Sequence, residues 1–310
     1  MSNFKRMAGS VVAAALVSMT VASAVHAQLP EHLRNYQLAA RKSTGDLVGP
    51  MFNGWIKNDD GSVTMIFGFV NRNREEVVDI PLGANNHIEP AQFDGVQPTH
   101  FPVYSRGGFV GLQERGVFAV TVPADMAGTE VVWTLNHAGY TYSVPGRATS
   151  PAYEMSNDIA AMGSLNPAIR FKKDGPESVS REGIYAAPLN AKVGKPIELS
   201  AFVQDRGDRR GYEVKTQFFP LGTEWIEHQG PEGAVVTFDN PKITGRERGE
   251  SGNESMYASG DWSETKTMAT FSEPGDYVIR LRVDNFAAPD SQFDNQCCWS
   301  NAYVPVKVTN

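Results

Sequence analysis

The chain has two cysteines, Cys297 and Cys298, and they are adjacent within the stretch DNQCCWSN. The C-x-x-C spacing of redox proteins is missing, and Cys298 is followed by neither the histidine nor the methionine of a blue-copper site. A vicinal disulfide closes almost no loop, so it adds little global stability. We therefore predict a local role, and two interpretations stay open. The pair is either a stiff turn that feeds the last strand, with Trp299 packed on the core, or part of a ligand-binding surface with Phe293 and Trp299.

Carboxylates in the second half form a first candidate metal site. They follow two predicted strands and comprise Asp205, Asp208, Asp284, Asp290 and Asp294. Calcium takes six to eight oxygen ligands, which makes it the metal that this set favours. The alternative is that these aspartates are solvated turn residues. We predict no cofactor and keep calcium as the alternative.

A second candidate set combines histidines and carboxylates in the irregular stretch 81–116. Its members are His87, Glu89, Asp94 and His100. Such side chains can hold zinc or another divalent ion. Their spacing matches no specific ligand motif, so ordinary loop residues bonded to the backbone are the alternative.

The sequence carries no familiar catalytic motif. It contains no G-x-S-x-G, no H-E-x-x-H, no phosphate-binding G-x-x-x-x-G-K-S/T and no EF-hand loop. An enzyme is therefore not the first expectation.

The N-terminus has the features of a secretory signal peptide. Lys5 and Arg6 precede an apolar run, and Val25-His26-Ala27 places small residues before a cleavage site at Gln28. Cleavage removes two positive charges and no acids, so the formal net charge falls from −7 to about −9. An acidic chain without a basic cluster is not expected to bind nucleic acid. No later segment reaches the length of a membrane-spanning helix, so we expect an exported, periplasmic or extracellular protein with no span in the mature chain.

From about residue 50 the chain alternates apolar and polar residues in short stretches, which is typical of all-β proteins. In SVTMIFGFV (62–70), Phe67 and Phe69 fall on one face. The preceding Asp60-Gly61 predicts a hairpin turn, because glycine tolerates positive φ.

Alternation returns near residue 165. In YVIRLRV (277–283), every second residue is apolar and faces the core, whereas Arg280 and Arg282 point outward. The last stretch, 302–308, contains Pro305, which predicts a sheet edge because proline cannot donate a backbone hydrogen bond.

Three stretches of the second half carry a family resemblance. They are VGKPIELSAFVQD (193–205), ATFSEPGDYVIRLRVDN (269–285) and AYVPVKVT (302–309). Together they resemble the immunoglobulin-like sandwich of the PKD type over about residues 165–310. The middle departs from that family, because TQFFPLGTEW (216–225) stands where W-x-F-G-D-G is expected.

The first half is similar to exported bacterial proteins of unassigned function. The similarity lies in Gly54-Trp55, Asp60-Gly61-Ser62, the stretch 67–73 and the stretch 97–101. It implies no activity.

We predict an all-β protein with two immunoglobulin-like β-sandwich domains in series. The predicted segments are a signal peptide (1–27), an N-terminal segment (28–47), a first sandwich (48–145), a linker (146–164) and a PKD/immunoglobulin-like sandwich (165–310). The predicted role is non-catalytic binding or structure in the cell envelope or secreted fraction, with a protein or glycan recognised through sandwich loops. The alternatives are an accessory or substrate-recognition subunit of an envelope or secreted enzyme system, and a metal-dependent hydrolase that uses the 81–116 loop.

Overall fold

Eight strands lie in the described part of the first half of the protein. The computed structural model describes residues 40–104, 112–155, 165–207, 221–243, 260–284 and 298–310. The strands of the first half are β1 (Val48–Lys57), β2 (Val63–Asn71), β3 (Val78–Asp79), β4 (Asn86–Glu89), β5 (His100–Phe101), β6 (Gln113–Val122), β7 (Val131–His137) and β8 (Tyr140–Gly146).

Two three-stranded sheets and one short ribbon enclose the first core. The sheets have the orders β1-β2-β6 and β4-β7-β8, and β3 pairs with β5. The core side chains come from β2, β6 and β7, with Phe67, Phe118 and Trp133 at the centre. Phe67 stacks on Phe118 and meets Trp133 edge-on, an arrangement that aromatic rings favour. The one-face pattern of 62–70 is confirmed.

The second half contains eleven strands within its described ranges. They are β9 (Ala168–Arg170), β10 (Glu177–Ser178), β11 (Ile184–Tyr185), β12 (Leu189–Lys192), β13 (Ile197–Gln204), β14 (Gly222–Gln229), β15 (Val236–Phe238), β16 (Lys242–Ile243), β17 (Trp262–Phe271), β18 (Gly275–Asp284) and β19 (Trp299–Thr309).

These strands form an immunoglobulin-like sandwich. One sheet has the order β10-β9-β13-β17-β15 and the other the order β11-β19-β18-β14-β16, with β12 also beside β19. Apolar residues of both sheets meet in one core, including Leu199, Phe271, Trp225 and Leu281. The predicted all-β class with sandwich architecture is confirmed.

Pro305 does not lie at a sheet edge, contrary to the prediction. Its strand β19 has β18 on one side and the parallel strands β11 and β12 on the other. The pairing with β11 ends near Tyr303, and the pairing with β12 starts at Val306. Proline is tolerated because it occupies the gap between these two short partners, where no donor is needed.

The stretch 81–116 is more regular than its composition predicts. It contains β4, β5 and the first four residues of β6. The predicted signal peptide and residues 156–164 of the predicted linker lie outside the described residues. The division into domains stays a prediction: the chain has two separate cores, yet residues Arg41–Asn310 form one compact unit by their contacts. Within the described part of the chain, no helix is long and apolar enough to cross a membrane.

Candidate functional site

The two halves meet at a buried ionic cluster. Glu114 of β6 is fully buried, and its Oε1 accepts hydrogen bonds from Arg280 Nη2 at 2.9 Å and Arg282 Nη1 at 3.2 Å. Arg280 and Arg282 point away from their own core, as predicted, but into the first half rather than into solvent. Arg280 is only 2% exposed. Glu114 and Asp284 raise the pKa of Arg282 although burial acts to lower it.

Side chains of the second half also cover the free edge of β6. The Val117 carbonyl accepts hydrogen bonds from Arg280 Nη1 at 2.8 Å and from the Tyr303 hydroxyl at 3.2 Å. Asn301 Nδ2 donates to the Gly116 carbonyl at 2.8 Å. An uncovered sheet edge exposes backbone groups that invite pairing with another chain. Here the second half satisfies them, so the contact protects the first sheet as well as joining the halves.

Trp299 lies inside this junction. Its side chain is 3% exposed and packs with Ile66, Ala119 and Met155 in a small apolar cluster. The Arg181 guanidinium lies 4.5 Å from the centre of the indole ring, within cation–π range. Burial lowers the pKa of Arg181 to about 9. This placement favours packing, the first of the two interpretations of the DNQCCWSN stretch.

A second contact region joins residues 95–101 to the turn after β14. The Thr99 N–H donates to the His228 carbonyl at 2.9 Å, and the Gly230 N–H donates to Thr99 Oγ1 at 3.0 Å. His228 Nε2 lies 2.9 Å from the Val96 carbonyl. Burial, with a smaller contribution from the charge of Arg280, lowers the pKa of His228 to about 3. The ring is therefore neutral at ordinary pH and donates to that carbonyl.

Three ionisable groups meet in this second region. His100 Nδ1 lies 2.8 Å from Asp79 Oδ1 in its own half and 3.9 Å from Glu227 Oε2 across the junction. Burial raises the pKa of Glu227 to about 7, although the charge of His100 opposes this. Burial alone would lower the pKa of His100, but the hydrogen bond to Asp79 and the charge of Glu227 outweigh it, so the pKa is raised.

The cysteine pair is described only in part. Cys298 is fully buried and takes part in a disulfide, whereas Cys297 and Phe293 lie outside the described residues. Residues 285–298 connect β18 to β19, whose end residues Asp284 and Trp299 pair with each other. This is the connection predicted for the stretch.

Two of the five predicted calcium ligands can be placed. Asp205 is buried at the end of β13, and its Oδ1 accepts from the Gly207 N–H at 3.0 Å. Asp284 Oδ2 lies 3.1 Å from Arg282 Nε. Asp208, Asp290 and Asp294 lie outside the described residues. The two visible aspartates thus make a turn contact and an ion pair.

The predicted histidine and carboxylate set is divided between different sheets. His87 and Glu89 lie on β4, paired with β7, whereas His100 lies on β5, paired with β3. Asp94 Oδ1 accepts from the Ile88 N–H at 2.8 Å. Within the described ranges no group of three or more His, Cys, Asp or Glu side chains is arranged to hold a metal ion.

Connections from both halves begin or end beside the ionic cluster. Tyr104, the last described residue before 105–111, is close enough to Glu114 for that carboxylate to help raise the pKa of its buried hydroxyl. Asp284, the last residue before 285–297, pairs with Gly222, which closely follows 208–220. The ends of three connections therefore converge on the junction.

No protein-family model and no curated protein matches the chain. Among solved structures, domains 4 and 5 of the S-layer protein SbsC align with TM-score 0.25 and 12% identity over 59% of this chain and 66% of that one, slightly under two thirds. A CARDB domain from Pyrococcus furiosus aligns with TM-score 0.25 and 12% identity, over 47% of this chain and 97% of that domain. The D0–D1 domain of intimin aligns with TM-score 0.23 and 11% identity, over 84% of this chain and 97% of that structure. Likenesses this weak carry no functional argument, and the class of the protein, all-β with immunoglobulin-like sandwich topology, follows from its own strands.

Sequence reasoning missed the residues that make the junction. No sequence motif contains Glu114, Asp79 or Glu227. The partners of Glu114 and Glu227, which are Arg280 and His100, lie more than a hundred residues away in the sequence. One signal was present. Arginine at alternate positions of an otherwise apolar strand, as at Arg280 and Arg282, is unusual for a solvated face and can indicate a buried partner surface.

Proposed function

We propose that the protein is exported after cleavage of residues 1–27 and acts as a non-catalytic binding or structural protein of the cell envelope or secreted fraction. In this proposal the second half is a PKD-type sandwich. The partner is a protein or a glycan, and the connections between strands recognise it. The partner surface includes Phe293 and Cys297, whereas the buried Cys298 anchors the connection.

The convergence of three connections on the junction is the observation that carries this proposal. Immunoglobulin-like domains commonly bind through loops that cluster at one end of the sandwich. Here the loop ends of the second half lie beside the end of a connection from the first half, at Tyr104 and Asp284. Recognition elements from both halves can therefore contribute to one surface.

The junction supports the proposal in a second way. Binding is strongest when the contacting elements are held in place before the partner arrives. Glu114 and the two arginines fix the strands from which the connections emerge. A flexible linker between the halves would not hold these connections in a fixed arrangement.

Site-specific photo-crosslinking tests the proposal. A photoreactive residue is placed at Phe293 in the full chain, expressed in its native host and irradiated in intact cells. The matched control carries the same residue at Tyr142 on β8, which is 42% exposed and outside the junction. We expect a discrete adduct from position 293 and none from position 142. Protease digestion and glycan staining of the adduct then separate a protein partner from a glycan.

Two results would overturn the proposal: equal adducts from both positions, or no adduct from 293 in cells that export the protein. Retention of the protein in the cytoplasm would refute the export step separately.

A further inference from the structure

The contact between residues 95–101 and the turn after β14 contains ionisable groups that ordinary solution pH can titrate. We propose that Asp79, His100 and Glu227 form a pH-responsive latch between the two halves, closed at mildly acidic pH and loosened when the cluster loses protons. This inference goes beyond the proposed binding function and does not depend on it.

The geometry places one imidazole between two carboxylates. His100 Nδ1 is within 4 Å of an oxygen of each, at 2.8 Å from Asp79 and 3.9 Å from Glu227. Glu227 is only 6% exposed. A buried site with two negative carboxylates and a neutral imidazole is unfavourable, because like charges repel and water is too scarce to solvate them. A proton bound to the His100 imidazole or to Glu227 reduces the net negative charge of this site.

The Asp79 carboxylate also bonds to the backbone directly across the junction. Asp79 Oδ2 accepts from the Gly233 N–H at 2.9 Å, across the boundary between the halves. Glu227 accepts from the Val236 N–H within its own half. The Cβ of any residue larger than glycine at position 230 would lie 2.2 Å from Glu227 Oε1. The Glu227 carboxylate therefore packs closely against the backbone at Gly230.

Other charged or titratable groups face the cluster from the neighbouring elements. Tyr277 of β18 feels the charge of Glu227, and its hydroxyl donates to the Glu273 carbonyl at 2.8 Å. His228, next along β14, is turned to the Val96 carbonyl and stays neutral. Glu232 lies exposed in the turn that follows. Each of these is neutral or acidic near neutral pH, so none of them compensates the negative charge left when Glu227 ionises.

The direction follows from proton linkage. The pKa of Glu227 is raised from 4.5 to about 7 in the closed contact, and that of His100 is also raised. The closed form binds more protons than an open one, so opening becomes easier as pH rises. For Glu227 alone, the opening constant should rise about tenfold between pH 6 and pH 8.

Hydrogen exchange of the mature chain measures this opening. The reporters are the Thr99 and Gly230 amides, which bond across the contact. Exchange is followed at pH 6 and pH 8, with protection corrected by the intrinsic rates of unstructured peptides. We expect about tenfold less protection at pH 8 in the wild type and a change several times smaller in Glu227→Gln. The control Glu232→Gln, in the exposed turn, should behave like the wild type.

Amides of β13 in the far sheet, such as those of Leu199 and Ala201, report global unfolding, which also exposes Glu227, and should stay better protected than the reporters at both pH values. The latch is overturned if corrected protection of the reporters is the same at both pH values, if Glu227→Gln retains the full pH dependence, or if the reporters are as well protected as β13 and so exchange only through global unfolding.

Discussion

Neutralising Glu114 tests the ionic cluster that joins the halves. Glutamine has nearly the same shape as glutamate and keeps one carbonyl oxygen, so Glu114→Gln removes a charge without leaving a cavity. The Oε1 atom of Glu114 serves both Arg280 and Arg282. After the substitution these two guanidinium groups lose the buried carboxylate that faces them.

The size of the effect follows from the remaining contacts. Removing one partner of a buried ion pair costs about 3–5 kcal/mol of unfolding free energy. Arg280 keeps the Val117 carbonyl, and Arg282 keeps Asp284 and the Arg115 carbonyl. These contacts compensate part of the loss, so we expect the lower end, about 3 kcal/mol.

Urea unfolding of the mature chain at pH 7, followed by far-UV circular dichroism, gives the free energies. Glu130→Gln is the matched control, because Glu130 pairs with Arg147 on the surface of the same half, and both side chains are well exposed. Exposed pairs contribute about 0–1 kcal/mol, so this variant should lie close to the wild type. Adding Arg280→Met to Glu114→Gln should cost less than Arg280→Met costs in the wild type, because the charge it removes has already lost its partner.

A Glu114→Gln variant that unfolds within about 0.5 kcal/mol of the wild type and of the Glu130→Gln control would refute the reasoning. Strictly additive effects of the two junction substitutions would refute the direct coupling between them.

Three further outcomes are expected. Gly116→Ala should lower the unfolding free energy by about 2–4 kcal/mol in the same urea assay, because the new Cβ would lie 2.0 Å from the buried indole of Trp299. The control Gly194→Ala has a similar positive φ but open space around its Cβ. It should therefore lower the unfolding free energy only by the cost of the strained backbone. Between pH 4.5 and pH 8.5 the unfolding free energy of the wild type should fall by up to about 3 kcal/mol relative to that of Glu227→Gln, because Glu227, with its raised pKa, ionises over this range. Toward pH 3 both proteins should lose stability, because the lowered pKa of His228 makes unfolding take up a proton. A flat profile from pH 3 to 8.5 would contradict this. Asn73→Ala should release the segment before β1, because the Asn73 side chain bonds to both the backbone N–H and the carbonyl of Asp46. Limited proteolysis should then cleave this variant near residues 41–47 at least several times faster than the wild type.

Local patterns predicted most of the strands. The one-face apolar pattern of 62–70 gave β2, and Asp60-Gly61 is indeed a turn, where Gly61 has φ +84° and donates its N–H to the Asn58 carbonyl. The alternation of 277–283 likewise placed Ile279 and Leu281 in the core. Side-chain direction along a strand depends only on the period of two, so the sequence alone carries this information.

The junction could not be predicted in the same way. Alternation shows that Arg280 points away from its core, but not that β6 of the other half covers it. Proline lacks a donor wherever it stands, and only the interruption between β11 and β12 explains why Pro305 is tolerated inside a sheet. His100 was singled out for its chemistry, yet its partners proved to be Asp79 and Glu227 rather than His87 and Asp94. These contacts are set by tertiary packing between distant segments, which leaves no local signature.

The distance distribution between spin labels on the two halves tests the central claim most directly. One label replaces the exposed Tyr142 of the first half, and the other replaces the exposed Glu198 on β13 of the second. A junction held by the Glu114 cluster predicts a single narrow distribution by double electron–electron resonance, and a broader one after Glu114→Gln. A broad wild-type distribution, unchanged by that substitution, would mean that the two sandwiches move independently and would contradict the account.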